Sequence, residues 1–442
     1  MNPGTVVIVN LLGGVALLLW GVRMVRTGIM RAWGDRLRFF IEHRLGNRAS
    51  AFVSGGIATA ILGSGTAMAL IVAGLAASGA IGTRLGLAVL LGADVGSAAV
   101  TAVFASGSSF ALWASPILLF SGYVTFSYSE EFRPHNVGRI LIGLGLMLLS
   151  LQLIREASVP LSSASLFHEI LAVVGREPVL AFLIGATLAW LFHSTLAVIL
   201  LIAAFLANGS LAADAALSFI LGVNLGGGLP AIGATIALPP EARRLPLANL
   251  LCRALAALAA IALIERITPF VLMVPAKPVE LAVGFHTAFN IAVAIIFLPL
   301  TGIFDRLMQK LLPDEKHEED RLAAPRYLDP GAIATPSVAL SNALLETVRM
   351  SEVLDRMFRT ALTALRTGSL ETLKLLKALD ERINLYQASL QSYLADLAQK
   401  ELSPDDSGRA LELTLYISNL EHAGDVIQLN LADRIRAKAK ES

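Results

Sequence analysis

One segment of this chain is written twice. The run from Gly55 to Ala99, GGIATAILGSGTAMALIVAGLAASGAIGTRLGLAVLLGADVGSAA, returns from Gly185 as GATLAWLFHSTLAVILLIAAFLANGSLAADAALSFILGVNLGGG. Ser64 lies 30 residues before Asp94, Ser194 lies 30 before Asn224, and the copies are 130 residues apart with no gap. Gly55 with Gly185, Ala67 with Ala197, Gly92 with Gly222, Gly96 with Gly226 and Pro116 with Pro246 keep the same offset. The fold must therefore build one unit twice.

The apolar residues fall in long runs, and with 55% hydrophobic and 16% charged residues and a mean hydropathy of +0.68 the chain reads as an integral membrane protein. A net charge of +1 gives no reason to expect a nucleic-acid partner. The lone Cys252 sits in an apolar run and reads as a buried, inert thiol. Val6 to Val22 is followed by Arg23 and Arg26 and not by a small-residue cleavage site, so it reads as a retained first helix. The arginine-studded stretch after it, to Arg48, carries Met30, Trp33, Leu37 and Ile41 at helical spacing and is expected along the membrane surface.

Ala51 to Ala80 is broken at Gly63-Ser64-Gly65, and Val179 to Asn208 at His193-Ser194-Thr195. Each arm reaches about 20 Å against a hydrocarbon core of about 30 Å. Two such arms form a re-entrant hairpin, tolerated where the broken backbone faces protein or a water-filled cavity, or else a single bent spanning helix. Full spans are expected at Val6 to Val22, Leu85 to Ala105, Ala111 to Tyr128, Val137 to Ile154, Ala212 to Ala237, Pro246 to Ile264 and Val283 to Ile303. With hairpins that do not cross, fourteen Arg and Lys from Arg23 to Lys310 flank one side, against Arg155, Arg176, Arg266 and Lys277 on the other. The positive-inside rule then puts the C-terminus in the cytoplasm. Three crossings separate the copies, and an odd number inverts the second.

The expected class is all-α: a polytopic membrane protein with two inverted repeats, each with a re-entrant hairpin, plus a soluble C-terminal helical bundle. Repeat one covers 1–130, repeat two and the last span 131–305, a charged linker 306–336, and a helical domain 337–442. That last domain divides into amphipathic stretches at Ser337 to Arg366, Ser369 to Gln399 and Asp405 to Ala439.

The tips are flanked by a second repeated motif, Gly92-Ala93-Asp94-Val95-Gly96-Ser97-Ala98 and Gly222-Val223-Asn224-Leu225-Gly226-Gly227-Gly228. With HTAFN (His286 to Asn290), RYLDP (Arg326 to Pro330), TPSVAL (Thr335 to Leu340), ETVRM (Glu346 to Met350) and LEHAGD (Leu420 to Asp425), these resemble the bacterial Na/Pi cotransporter family with an appended PhoU-like domain. Where the family carries Gln-Ser-Ser tips and Asn-bearing helix starts, this chain has Gly63 and His193 for the glutamines, Asp94 for one asparagine and Gly227 for one hydroxyl. The resemblance implies sodium-coupled phosphate transport in a bacterial inner membrane by alternating access.

Independently of the family, an anion at the midplane needs fixed donors from helix N-termini and hydroxyls. Ser64, Gly65, Thr66, His193, Ser194 and Thr195 are the candidates for substrate, in practice inorganic phosphate or a similar oxyanion. Asp94, Ser97 and Asn224 offer oxygens for a cation. Asp94 and His193, ionisable and deep in the membrane, are expected to face the protein interior and to have partners; Asp94 reads as a cation ligand or a proton carrier, or else as one end of a structural hydrogen bond. His286 reads equally as a satisfied core histidine. No enzyme motif, catalytic residue or resident metal site is expected. A proton-coupled or exporting transporter, and a non-transporting phosphate sensor, stay open beside sodium symport. The helical domain 337–442 is expected to meet a cytoplasmic regulatory protein, and Glu421 with Asp425 puts two carboxylates on one face of it.

Overall fold

The computed structural model describes residues 3–160, 173–313, 325–334 and 336–431, except positions 78, 107, 130, 237, 368 and 369. These residues are almost entirely helical, and the chain divides into two compact units, Met1–Pro313 and Asp314–Ser442.

Among the described residues of the first unit six helical stretches are long and apolar enough to cross a membrane: Val6–Gly34, Thr83–Ala105, Phe132–Ser158, Ala213–Thr235, Pro240–Ala262 and Pro278–Phe297. This is a membrane protein. The seventh expected span, Ala111 to Tyr128, is helical as α5 (Ser108–Tyr128). The expected surface helix does not form as a separate element. Helix α1 runs unbroken over Pro3–Glu42, because no proline or cap interrupts it, and so carries Arg26 along the body of the protein. It packs on α6 (Phe132–Ser158) through Gly14, Gly21 and Gly28, one every seven residues, which meet Ile154, Met147 and Ile140.

Both hairpins are present as pairs of short helices: α2 (Arg48–Leu62) with α3 (Gly65–Ala77), and α7 (Pro178–Phe192) with α8 (Thr195–Ala207). Each first arm ends on a left-handed residue, Gly63 at φ 63° and His193 at φ 52°. Glycine adopts this conformation freely; His193 is held in it, the kind of outlier that collects at functional sites.

The duplication extends to atomic contacts. In copy one, a Cβ on Gly55 would lie 2.1 Å from the Val89 carbonyl oxygen, one on Gly92 1.8 Å from that of Phe52, and one on Gly96 2.2 Å from that of Gly56. In copy two the distances are 2.2 Å for Gly185 against Phe219, 1.9 Å for Gly222 against Phe182 and 2.0 Å for Gly226 against Ala186. Donor and target alike shift by 130 residues. In both copies, then, the first hairpin arm lies backbone-to-backbone on the helix after the hairpin, α4 (Thr83–Ser106) and α9 (Ala213–Gly226).

The copies differ in one respect. α4 is continuous, whereas the expected span Ala212 to Ala237 stops at Gly227-Gly228 and resumes as α10 (Leu229–Thr235). Pro230 lacks the N–H that would continue the ladder, and two glycines before it weaken the turn. The next two expected spans also break. α11 (Pro240–Ala262) turns at Leu263 into α12 (Ile264–Leu272), and α13 (Pro278–Phe297) gives way to α14 (Thr301–Leu311), so helix persists past residue 306, where a linker is expected.

The second unit packs α15 (Pro336–Thr367), α16 (Leu370–Ala398) and α17 (Pro404–Val426) around Met350, Met357, Ile383, Tyr386 and Ile417. A π turn, Ile427–Leu431, extends α17; the expected continuation to Ala439 lies outside the described residues. The RYLDP and ETVRM motifs bind one another. Glu346, fully buried, accepts from the backbone N–H groups of Arg326 (2.8 Å) and Tyr327 (2.6 Å) and from Arg349 (2.8 Å). Burial pushes its carboxyl up, and the donors only partly offset this. Asp380 is also raised, first by burial and then by Asp425, Glu421 and Glu381. Among the described residues no group of three His, Cys, Asp or Glu side chains could hold a metal ion.

Candidate functional site

Both hairpin tips line one cavity of about 60 Å³ in the membrane unit. A single water needs about 10–15 Å³ of such volume, so there is room for a small ion of a few heavy atoms. Ser64, Gly65 and Thr66 come from the first tip and His193, Ser194 and Thr195 from the second, joined by Asp94 and Ser97 of α4. Eight of the nine residues singled out from sequence thus meet in one place. Asn224 does not line the cavity; it stands behind it, buried, its side chain donating to the Ile220 carbonyl (2.8 Å) and accepting from Asn290 (2.9 Å).

The tip serines act first as helix caps. The Ala67 N–H donates to Ser64 Oγ at 3.3 Å, and the Ala197 N–H to Ser194 Oγ at 3.2 Å. Capping uses each hydroxyl as an acceptor, which leaves its own hydrogen for another partner. The N–H groups of Gly65, Thr66, Thr195 and Leu196 belong to first helical turns and have no acceptor inside their helices. All four residues are in the cavity wall. Two helix N-termini, with their partial positive charge, are therefore presented to one small space.

Three fully charged side chains line it as well: Arg26 from α1, Asp94 from α4 and Arg253 from α11. Arg253 grips Asp94 through both carboxylate oxygens, Nε donating to Oδ2 at 2.8 Å and Nη2 to Oδ1, while its Nη1 donates to the Asn224 carbonyl at 2.8 Å. Asn249 Nδ2 adds a bond to Asp94 Oδ2 at 3.2 Å. One guanidinium thus ties the repeated motif of copy one to that of copy two. Arg26, half-buried, has no ion-pair partner among the described residues. Two cations against one carboxylate leave the wall positive. Asn249 Oδ1 is buried and, among the described residues, receives no donor.

Gly227 owes its identity to the tip of its own copy. A Cβ there would lie 2.0 Å from Thr195 Oγ1, so the hydroxyl of copy two sits on the tip and its partner helix must be bare. In copy one the arrangement is exchanged: Gly65 is on the tip and Ser97 on the helix. Each half keeps one hydroxyl.

Sequence reasoning missed Arg26, Asn249 and Arg253. Arg253 stands within the apolar run from Pro246 to Ile264, the same signal that marks Asp94, and a buried carboxylate in a membrane demands a partner. Asp94 is accordingly not a lone carboxylate. Arg26 counts as a flanking charge only if α1 ends near Val22. Among the HTAFN residues, Asn290 bonds to Asn224 as described and His286 is buried with Nε2 unpartnered among the described residues.

Comparison with known proteins places these features. The chain matches the family description "Na+/Pi-cotransporter" over residues 17–156 and 158–273, and the PhoU domain over residues 347–434. It is 33% identical over 421 residues to "Putative inorganic phosphate export protein YjbB" of Escherichia coli strain K12, covering 95% of this chain and 77% of that protein. The protein of the same name from Salmonella typhimurium is 32% identical over the same length. "Uncharacterized protein YqeW" of Bacillus subtilis is 27% identical over 303 residues, 68% of this chain and 96% of that protein. No solved structure matches.

Proposed function

Since this chain belongs to the Na+/Pi-cotransporter family, we propose that it carries inorganic phosphate across the membrane through the cavity between its two hairpin tips, by alternating access. The observation that carries this reading is the convergence of two helix N-termini and Arg26 on a space of about 60 Å³. Free N–H groups, hydroxyl hydrogens and a guanidinium are what a small oxyanion needs in exchange for its hydration shell. Among the described residues three of the expected spans, α4, α5 and α6, lie between the copies, and three crossings support opposite senses for the two hairpins.

Removing Arg26 from the flanking charges still leaves thirteen against four, which favours a cytoplasmic tail in a bacterial inner membrane. The tail is assigned to regulation through a cytoplasmic partner. Outward movement is favoured over uptake, because relatives that match 95% of this chain are named for phosphate export. No step of this reading makes or breaks a covalent bond.

Asn249 gives the reading a chemical test. Hydrogen phosphate both accepts and donates, and the unpartnered Asn249 Oδ1 can accept a hydrogen bond from its P–OH group; sulfate at neutral pH has no such hydrogen to donate. Purified protein should bind phosphate at least tenfold more tightly than sulfate in an equilibrium competition assay. Asn249→Leu should narrow that preference by roughly five- to a hundredfold, the worth of one buried hydrogen bond. Equal affinity of the unsubstituted protein for the two anions would count against phosphate as the substrate.

A further inference from the structure

Sodium is the coupling ion that the family name implies, and the residues present do not fit it. A hard cation needs several free oxygens. Those available from the repeated motif are the carboxylate of Asp94, the oxygens of Asn224 and the hydroxyl of Ser97. Both Asp94 oxygens accept from Arg253, one of them also from Asn249, and the Asn224 carbonyl accepts from Arg253 as well. The Asn224 side-chain oxygen accepts from Asn290. Within the motif only the Ser97 hydroxyl is left, and an ion shared between it and the unpartnered Asn249 Oδ1 would have two neutral oxygens and sit beside a guanidinium of its own sign.

We propose that Arg253 is a built-in cation occupying the oxygen cluster where a coupling ion would bind, so that this chain moves phosphate without requiring sodium. The inference rests on the transport reading above. It explains why the copies differ at one position only in charge: Asp94 in copy one answers Arg253, while copy two keeps Asn224 and lends the same guanidinium its backbone carbonyl. A tethered cation stays in the protein through the cycle, whereas a bound sodium ion is carried and released. The anion then crosses with its own negative charge uncompensated. An inside-negative membrane potential drives such a charge outward, so export needs no ion gradient. Arg253 and Asp94 are both nearly buried, at 10% and 5% side-chain exposure, so no water shell competes for the pair.

The experiment has two arms on the full-length protein. In proteoliposomes, radiolabelled phosphate flux is measured with sodium on both sides and with choline in its place, at a clamped potential. The unsubstituted protein should change less than twofold when sodium is removed, and should speed up as the phosphate-loaded side is made more negative. A loss of tenfold or more without sodium overturns the proposal. In detergent, binding of radioactive sodium is measured against potassium. The unsubstituted protein should bind none saturably, whereas Arg253→Ala, which frees the Asp94 oxygens, should acquire a saturable site that Asp94→Asn in the same background abolishes. Saturable sodium binding by the unsubstituted protein, or none by a folded Arg253→Ala, overturns the assignment. Arg253→Lys, which keeps the charge, should still bind no sodium, and binding there also overturns it. Should no phosphate flux occur under any condition, the transport reading fails while the sodium-binding arm still decides the role of Arg253.

Discussion

Asp94→Leu alone is expected to destabilise the membrane unit by about 3–5 kcal/mol, because it leaves Arg253 as an unpaired charge in a site that is 8% exposed. Arg253→Met should cost a similar amount by stranding Asp94. The pair replaced together should recover most of the loss, since two apolar side chains of similar bulk need no partners, and the coupling from the double-mutant cycle should be at least about 3 kcal/mol. Thermal unfolding of the purified full-length protein measures all four forms. Simple additivity would mean that the two residues do not stabilise one another. The double variant, though stable, is expected to transport nothing, because the guanidinium that ties the motif of copy one to that of copy two is gone from the cavity wall.

Gly222→Val should be among the most damaging single substitutions in the membrane unit. A Cβ at this position would lie 1.9 Å from the Phe182 carbonyl oxygen and 2.7 Å from its carbon. These are backbone atoms, so no rotamer change relieves the clash; α7 and α9 must separate along the whole face they share. Effects above about 4–5 kcal/mol come from a short list of causes, and forced backbone separation in a packed core belongs there. Gly92→Val should behave alike, at 1.8 Å from the Phe52 carbonyl oxygen. Gly13→Val is the control, since nothing lies within 4 Å of a Cβ there. Size-exclusion profiles of detergent-extracted protein should show a folded peak for Gly13→Val and little or none for the other two. A normal peak for Gly222→Val would refute the packing of the second hairpin on α9.

What could be read in advance follows from how local each signal is. The duplication announces itself in a fixed offset, and Gly63-Ser64-Gly65 and His193-Ser194-Thr195 interrupt apolar runs too long to be one short helix and too short to be two spans. The residues of the tips were therefore legible. The course of α1 was not, because Met30, Trp33, Leu37 and Ile41 at helical spacing suit a surface helix as well as the continuation of a span. Only the absence of a breaker before Glu42 separates the two. The stop at Gly227-Gly228 was written in Pro230 but masked by the motif alignment, which invites copy two to be read as copy one. Arg253 could be suspected from its apolar setting, yet its partner is 159 residues away in sequence, and no periodicity connects them. In the tail, RYLDP and ETVRM were recognisable as motifs; that they answer each other through Glu346 follows only from burial and the two N–H donors.

The measurement closest to the central claim is release of radiolabelled phosphate from proteoliposomes by the unsubstituted protein and by Arg26→Gln. Arg26 is not part of the Asp94 pair, so its loss leaves that network intact and removes a charged donor from the cavity wall. Hydrogen bonds to charged groups contribute about 1.5–3 kcal/mol, so the half-saturating phosphate concentration should rise by about ten- to a hundredfold in the variant. Saturable release that weakens in this way is the result the paired-tip site predicts. Release no faster than from protein-free vesicles, or identical saturation in the two proteins, would contradict it.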